Sequence, residues 1–178
     1  MAPVTMTRRM RRVMLIAHLG SSVGLLGAVA AFLLLAVAGL VATDPETVRA
    51  AYVAMGLTAR FVVVPLAFAA LLVGIVESLG TRWGLFRYYW ILAKLGLTVI
   101  AVVVLLLQMS LIGTMAGAAA DQPIGPADFL DARLALVLHS GGGLLVLLVP
   151  LALSIFKPPG LTRYGQRQLN ARRAETPD

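Results

Sequence analysis

The sequence predicts an all-α membrane protein: a bundle of four transmembrane helices with both termini on the cytoplasmic side. Composition is the first observation, since 60% of the 178 residues are hydrophobic and only 13% are charged, about half the charged fraction of a soluble domain. The second is four apolar runs that are each long enough to cross a bilayer. The third is that basic residues gather beside alternate ends of these runs. Together they exclude a soluble domain and a disordered chain.

The four spans are predicted at about residues 13–42, 48–76, 89–112 and 134–156, because about 20 apolar residues in a helix cross a hydrocarbon core of about 30 Å. The first run is about twice as long as the apolar part of a signal peptide, so a retained helix is expected. Residues 1–12 are then a basic cytoplasmic N-terminus, and residues 157–178 a basic cytoplasmic tail. Pro65 lies inside the second span and predicts a kink there.

Basic residues predict the orientation of these spans. Three segments that fall on one side of a four-span protein hold most of them: Arg8, Arg9, Arg11, Arg12; Arg82, Arg87; and Lys157, Arg163, Arg167, Arg172, Arg173. The basic side of a membrane protein is the cytoplasmic side. Much Ala, Gly and Val, with arginine in excess over lysine, indicates a GC-rich bacterial genome. We therefore expect a multi-pass protein of the bacterial cytoplasmic (inner) membrane. Its net charge of +7 is explained by orientation and attraction to anionic lipid, so nucleic-acid binding is not expected.

Helix-start signals occur in the two loops that this orientation places outside. Thr43 and Glu46 have the spacing of a capping box, and Pro45 suits a first helical turn. Asp128 is the expected N-cap of span four. Because aspartate is favoured at caps, the acidic residues of this second loop are interpreted as capping and solvated groups, and not as a metal site.

The segment between spans two and three, residues 78–90, combines aromatic and arginine side chains. Amphipathic rings favour the headgroup region of a bilayer, so this segment is interpreted as an interfacial belt. A quinone site or a lipid-headgroup site would show the same pattern and is the alternative. The predicted anchors are Arg82, Trp83, Arg87, Tyr89 and Trp90.

Small residues are concentrated in spans one and four. Such residues let membrane helices approach closely, so the two spans are expected to pack together through them. The alternative is that the same glycines make room for a flat cofactor. The predicted packing residues are Gly20, Ser21, Gly24 and Gly27 in span one, and Gly141, Gly142 and Gly143 in span four.

Six polar residues lie within or near the predicted hydrocarbon region, where polar groups are costly and are candidates for function. Arg60, Gln108 and His139 form the first candidate cluster, at a similar predicted depth. His18, Glu77 and Lys94 form a second group, towards the cytoplasmic side. The two histidines start from opposite leaflets and are predicted to be offset by about 14 Å along the membrane normal. That offset disfavours one haem held by both.

Catalytic chemistry is not expected. The chain has no cysteine, so thiolate nucleophiles, iron–sulfur clusters and zinc–thiolate sites are excluded. The serines form no Ser-His-acid arrangement, and the histidines have no metal-binding spacing. No cofactor is predicted; haem b or copper is the alternative. Carboxylates are missing at depth, so a proton pump is not expected.

Four segments resemble a known family: residues 18–28, 78–90, 139–145 and 153–162, with the inner loop and Lys-Pro-x-Gly-Leu-Thr as the specific parts. The chain is similar here to a family of small bacterial four-helix integral membrane proteins of unknown function. The resemblance covers nearly the whole chain and implies the fold but no activity. Leu25 stands where that family often has Trp, and Tyr88 and Gln108 where it often has His. The resemblance therefore implies that this chain lacks groups that a family-wide metal or haem site would use.

The expected function is that of a non-catalytic packing or partner protein, or an accessory subunit. Its expected partners are the lipid bilayer and either another membrane protein or a second copy of the chain. The alternative is a small haem- or metal-linked redox protein that uses His139 with His18 or Gln108. A third hypothesis is a small-solute transporter that depends on Arg60 or His139.

Overall fold

The computed structural model describes residues 6–80, 84–125 and 127–175, with side chains up to Ala171. These residues are helical and contain no β-sheet. The helices are α1 (Arg8–Val41), α2 (Pro45–Thr58), α3 (Val64–Leu79), α4 (Tyr89–Asp121), α5 (Leu130–Phe156) and α6 (Arg163–Glu175). A π-helical turn, Ala59–Val63, joins α2 to α3, so that the two form one span of 35 residues.

Four helices are long and apolar enough to cross a membrane: α1, the α2–α3 span, α4 and α5. This confirms the four predicted spans and suggests a multi-pass membrane protein. Helix α4 continues past the predicted limit of residue 112 to Asp121, because its last two turns are rich in alanine, the strongest helix former. The second span is irregular directly before Pro65, where the π turn lies. Proline has no N–H to donate at this point, and wide turns of this kind accommodate such breaks.

The four spans are arranged around a ring in chain order. Helix α1 packs against α2, α3 and α5, and α4 packs against the same three helices. Among the described residues, no Cα atoms of α1 and α4, or of α5 and the α2–α3 span, lie within 8 Å of each other. Short links join successive spans, so neighbours run antiparallel, as in an up-down-up-down bundle.

Small side chains set the spacing of the core. Ala59 and Ala119 are 0% exposed, and a Cβ atom added to Gly56 would lie 2.7 Å from the Cβ atom of Ala116. Helices α2 and α4 therefore approach more closely here than larger residues would allow. A cluster of buried side chains fills this half of the bundle: Phe32, Ala36, Val48, Tyr52, Met55, Ala59, Ile112, Met115, Ala119, Ile124 and Leu136.

The two ends of the bundle differ in charge. We call the end with residues 42–44, 122–125 and 127–129 the acidic end, and the end with residues 8–12, 84–88 and 157–171 the basic end. At the acidic end Asp44 is the N-cap of α2, because its carboxylate accepts hydrogen bonds from the N–H and the hydroxyl of Thr47, at 2.9 and 2.8 Å. These bonds hold the pKa of the Asp44 carboxyl below its usual value.

Both cap predictions need correction. The cap of α2 is Asp44 and not Thr43, while Pro45 does occupy the first turn. The Glu46 carboxylate faces Arg49 at 3.9 Å instead of completing a capping box. Asp128 is not the N-cap of α5, because its carboxylate accepts the N–H of Gly125, at 2.8 Å, and closes the preceding loop. The cap of α5 is Phe129, in a left-handed conformation with φ 53°.

Candidate functional site

A buried arginine joins the helices at the acidic end. Arg133, at the start of α5, is 1% exposed. Its Nε donates to the hydroxyl of Tyr52 at 3.1 Å, and its Nη1 donates to the carbonyl of Gly125 at 3.0 Å. Its Nη2 donates to the carbonyls of Gly39 at 2.7 Å and Leu40 at 3.1 Å. One side chain therefore connects α5 with the end of α1, with α2 and with the loop before α5.

The sequence did not predict this network, because Arg133 lies directly before the predicted fourth span, outside the apolar run. Two features of the sequence carried a weak signal: an arginine directly before an apolar run, and Tyr52 near the start of an otherwise apolar span. Gly39 contributes through the space that it leaves. A Cβ atom at Gly39 would lie 2.8 Å from the Cζ atom of Tyr52, so glycine is needed for the Tyr52 ring to reach Arg133.

A cavity of about 290 Å³ lies between α1, the π turn, α3, α4 and α5. Most of its wall is apolar, with Leu25, Val63 and Leu136 among the buried side chains that line it. Exposed side chains also line it, namely Ile100, Val104 and Leu138 from α4 and α5. The cavity therefore opens on the outer surface of the bundle between α4 and α5. Its polar side chains are Thr98, Gln108, His139 and Ser140.

His139 stands at the mouth of this cavity, where it is exposed. Its Nδ1 lies 2.6 Å from the carbonyl oxygen of Ala135, one turn earlier in α5. A carbonyl oxygen can only accept, so Nδ1 carries the proton of this hydrogen bond. In the neutral imidazole the other nitrogen, Nε2, is then a hydrogen-bond acceptor.

The structure separates the three residues of the first candidate cluster. Gln108 and His139 line the same cavity, whereas Arg60 is not part of its lining. Arg60 lies on the π turn and is exposed. Its guanidinium carbon lies 6.0 Å from the centroid of the neighbouring Phe61 ring. The first cluster is therefore a pair of residues at a cavity and a separate exposed cation.

The second candidate group lies together in the basic half of the bundle. Lys94 donates a hydrogen bond from Nζ to the hydroxyl of Ser154 at 2.6 Å, and its Nζ is 5.6 Å from the centroid of the Trp90 ring. Glu77 interacts electrostatically with both Lys94 and His18. The structure thus brings His18, Glu77 and Lys94 into one electrostatic cluster.

The His18 imidazole lies against α3. A Cβ atom at Gly74 would lie 3.0 Å from its Cε1, and its buried Nδ1 has no hydrogen-bond partner among the described residues. His18 does not line the cavity at which His139 stands. The two imidazoles therefore share no space in which one haem iron could take both as axial ligands. No methionine of the described residues lines the cavity, so it offers copper no thioether ligand.

The small residues of α1 and α5 have different neighbours. Helices α1 and α5 do pack together. A Cβ atom at Gly24 would lie 3.4 Å from Leu66 of α3, and one at Gly141 would lie 4.0 Å from Leu33 of α1. The Ser21 hydroxyl donates to the carbonyl of His18 within its own helix, at 3.1 Å. The remaining glycines have nothing within 4 Å of an added Cβ atom: Gly20, Gly27, Gly142 and Gly143.

At the basic end, the tail binds to the loop between α3 and α4. The hydroxyl of Thr162 donates to the carbonyl of Phe86 at 2.6 Å, and its N–H donates to the carbonyl of Arg87 at 3.0 Å. The N–H of Tyr89 donates to the carbonyl of Gly160 at 3.3 Å. These bonds connect the tail to the segment between the second and third spans. Thr162 also begins α6, because its hydroxyl accepts the N–H of Gly165 at 3.1 Å.

Three of the five predicted interfacial anchors lie in this region. Tyr89 is 58% exposed, Trp90 lies under the Lys94 ammonium, and the Arg87 guanidinium carbon lies 5.8 Å from the centroid of the Tyr88 ring. The other two, Arg82 and Trp83, lie outside the described residues. The described anchors share one end of the bundle with the tail and the N-terminal arginines.

Comparison with known proteins adds no relative: no protein-family model, curated protein or solved structure matches this chain. Among the described residues, no three histidine or acidic side chains come together in a way that could hold a metal ion. The functional evidence is therefore the exposed cation at Arg60, the cavity with Gln108 and His139, and the cluster around Lys94.

Proposed function

We propose that the protein is a non-catalytic subunit of a membrane complex and that it binds its partner through the lipid-facing surface around Arg60. The observation that carries this proposal is the position of Arg60. It is exposed, and it lies on the π turn, far from both ends of a span that runs from Pro45 to Leu79. A membrane protein normally turns such a residue towards its interior or pairs it.

The depth of Arg60 follows from helix geometry. At a rise of 1.5 Å per residue, its Cα atom lies about 22 Å from Pro45 and about 28 Å from Leu79. If a span of about 52 Å is centred on a hydrocarbon core of about 30 Å, Arg60 lies about 11 Å inside the core, or two helical turns. An arginine at the centre of a membrane helix costs about 3 kcal/mol on insertion scales. A partner that neutralises the charge would remove this cost.

Arg60 and Arg133 have different surroundings. Arg133 donates hydrogen bonds to a tyrosine hydroxyl and to backbone carbonyls. The Arg60 guanidinium lies near the Phe61 ring, and no carboxylate of the described residues lies within 4.0 Å of it. Leu57 and Phe61 beside it are 56% and 67% exposed. This surface is apolar around a single cation, so it is complementary to an apolar helix that carries one carboxylate.

The described part of a second copy does not supply that carboxylate. The acidic residues whose side chains are described lie at span ends or in the links: Asp44, Glu46, Glu77, Asp121, Asp128 and Asp131. Two copies docked through this surface would also bring two Arg60 charges together in a medium of low dielectric, which is unfavourable. The proposed partner is therefore a different membrane protein with an aspartate or glutamate inside a span.

The native mass of the tagged protein, extracted from its own membranes with a mild detergent, tests the proposal. The wild-type chain should migrate as a heteromeric complex, and Arg60→Leu should weaken it about a hundredfold, as expected for a loss of about 3 kcal/mol at the interface. Arg49→Leu is the matched control, because Arg49 is exposed near the end of the same span. Arg60→Glu should lose the complex, and replacing the partner's carboxylate by arginine should restore it.

Two results would overturn the proposal. One is a wild-type chain that migrates only as a monomer or as a homo-oligomer. The other is a complex that Arg60→Leu leaves intact.

We also propose that the basic end faces the cytoplasm of a bacterium and that both termini lie there. The support is the grouping of charge. The described segments of the basic end carry Arg8, Arg9, Arg11, Arg12, Arg87, Lys157, Arg163 and Arg167, whereas the acidic end carries Asp44 and Asp128. Short basic segments next to membrane spans remain on the cytoplasmic side during insertion.

A further inference from the structure

We infer that the cavity between α4 and α5 binds a membrane-soluble hydroxy compound, and that the hydroxyl group of the ligand donates a hydrogen bond to Nε2 of His139. Such a compound has an apolar body or tail and a polar head with an O–H group, as a hydroquinone with an alkyl chain does. The site is independent of the surface around Arg60, which does not line the cavity.

The shape of the cavity selects the kind of molecule that can enter. Its volume of about 290 Å³ is close to the lower limit, about 300 Å³, of typical small-molecule sites. Its mouth lies between α4 and α5, where the exposed Ile100, Val104 and Leu138 form the rim. These helices are candidate membrane spans, so the mouth faces lipid. Only a molecule dissolved in the bilayer can reach it.

Two of the four polar side chains in the wall already donate their hydroxyl hydrogen to a backbone carbonyl of their own helix. The Thr98 hydroxyl donates to the carbonyl of Lys94 at 2.9 Å. The Ser140 hydroxyl donates to the carbonyl of Leu136 at 2.7 Å. Neither hydroxyl can then donate to a polar head, and we assign recognition of the head to Gln108 and His139.

His139 determines the chemistry of the head group. Its Nδ1 proton is held by the carbonyl of Ala135 at 2.6 Å, so Nε2 of the neutral imidazole offers a lone pair. A hydroquinone can donate an O–H to that lone pair. The corresponding quinone has only acceptor oxygens and cannot. The amide of Gln108 can donate and accept, so it strengthens binding of both forms without distinguishing them.

The depth of the two side chains in the bundle favours a site that distinguishes the hydroquinone from the quinone. His139 lies about 14 Å from the start of α5, and Gln108 lies about 20 Å from the corresponding end of α4, so their levels differ by only about 6 Å. Both positions are inside the spans, where little water competes for hydrogen bonds. An unpaired polar group of the ligand is therefore penalised more strongly here than at an aqueous surface.

Binding to the purified full-length protein in phosphatidylcholine nanodiscs tests the inference. Three probes share one decyl chain: decyl hydroquinone kept reduced, decyl benzoquinone, and decylbenzene. Affinities are measured against empty nanodiscs. One additional hydrogen bond in a water-poor site corresponds to about tenfold in affinity. We therefore expect the hydroquinone to bind about tenfold more tightly than the quinone, and decylbenzene to bind most weakly.

Variants separate the roles of the two side chains. His139→Phe should remove the preference for the hydroquinone, because the acceptor is lost while the ring is kept. Gln108→Leu should weaken hydroquinone and quinone to a similar extent and leave their ratio unchanged. Ser110→Ala is the control, since Ser110 is exposed on α4 and does not line the cavity. It should change neither affinity.

Four outcomes would overturn the inference: equal affinity of the wild type for hydroquinone and quinone, no binding above empty nanodiscs, a ratio that His139→Phe leaves unchanged, or decylbenzene bound as tightly as the hydroquinone. The last would mean that the cavity accepts any apolar chain. If His139→Phe does not fold, the ratio of hydroquinone to quinone affinity in the wild type still tests the inference. Failure of this inference leaves the Arg60 proposal intact, because the two experiments change different surfaces.

Discussion

Arg133 of α5 donates a hydrogen bond from Nε to the hydroxyl of Tyr52 of α2, at 3.1 Å, across the diagonal of the bundle. Among the described residues, no Cα atoms of α2 and α5 lie within 8 Å of each other, so a side chain bridges a gap that the backbones leave open. The same guanidinium donates to two carbonyls at the end of α1. Three of the four spans are therefore held together at the acidic end by one residue.

Replacement of Arg133 should be among the most destabilising changes in this protein. Arg133→Met removes the donors, while Tyr52 and the carbonyls of Gly39 and Leu40 remain buried without these partners. We expect a loss of about 3 kcal/mol in the free energy of unfolding. Arg133→Lys should recover little of it, because an ammonium cannot reproduce the planar fork of donors. Titration of the protein from mild detergent into sodium dodecyl sulfate, followed by circular dichroism, measures the loss.

The control for this prediction is Arg49→Met, which removes an exposed pair with Glu46 at 3.9 Å. Exposed pairs of this kind contribute little, so stability should change by less than about 0.5 kcal/mol. Tyr52→Phe should cost about 1 kcal/mol, and the double variant with Arg133→Met should cost less than the sum of the two. Additive effects would show that the two side chains are not coupled.

Gly39 should tolerate no side chain. An alanine Cβ atom would lie 2.8 Å from the Cζ atom of Tyr52, and that ring cannot move aside because it is 1% exposed and bonded to Arg133. We expect Gly39→Ala to destabilise the protein by about 1–3 kcal/mol, as overpacking does. Gly27→Ala is the matched control in the same helix, since an added Cβ atom meets nothing within 4 Å.

Gly27→Ala should stabilise the helix by about 0.5–1 kcal/mol, because alanine loses less backbone entropy than glycine on folding. The same unfolding titration compares the two variants. Equal stabilisation by both would contradict the packing of Tyr52 against Gly39.

Individual residues show how far the structure could be predicted from the sequence. The spans were predictable because apolar runs of this length are typical of membrane helices and rare in soluble domains. That Gln108 and His139 lie at a similar level of the bundle was also predictable, since level depends on distance along each helix, and both line one cavity. The direction in which each side chain points was not. A π turn at Ala59–Val63 adds a residue to one turn and rotates the rest of the helix by about 100° relative to a regular helix. Arg60 lies in that turn, so its outward position could not be predicted from the residue spacing of a regular helix.

The burial of Arg133 could not be predicted, for a different reason. It depends on partners from three other parts of the chain: Tyr52, Gly39 and the loop at Gly125. No local pattern in the sequence connects them. Helix α6 was also not predicted, because its residues are too polar to show an apolar period. Its start is determined by Thr162, which bonds to the distant residue Phe86.

The attachment of the tail should depend on the hydroxyl of Thr162. Thr162→Val keeps the shape of the side chain and removes the bonds to the Phe86 carbonyl and the Gly165 N–H. A lost N-cap costs about 1 kcal/mol, and we expect about fivefold faster hydrogen exchange at Gly165 as the first turn of α6 opens. Trypsin should also cleave faster after Arg163. Both rates are measured by mass spectrometry.

Thr114→Val is the control for the tail, because the Thr114 hydroxyl is exposed and donates within its own helix to the Ser110 carbonyl at 3.0 Å. This variant should leave exchange at Gly165 unchanged. Thr162→Val should also leave the unfolding of the four spans unchanged, because none of their described Cα atoms lies within 8 Å of α6. A loss of bundle stability would show that the tail supports the spans as well.

Cysteine labelling should establish the orientation of the bundle, and the chain is well suited to it because it has no natural cysteine. Asp121→Cys lies at the acidic end of α4 and Asn170→Cys lies in α6, both at exposed positions. With a membrane-impermeant maleimide, we expect the first to react in intact spheroplasts and the second only after lysis. Leu107→Cys is the control at an exposed position inside a span, and it should stay unlabelled because lipid covers it. The reverse pattern would place the basic end outside, against the rule that basic segments stay in the cytoplasm.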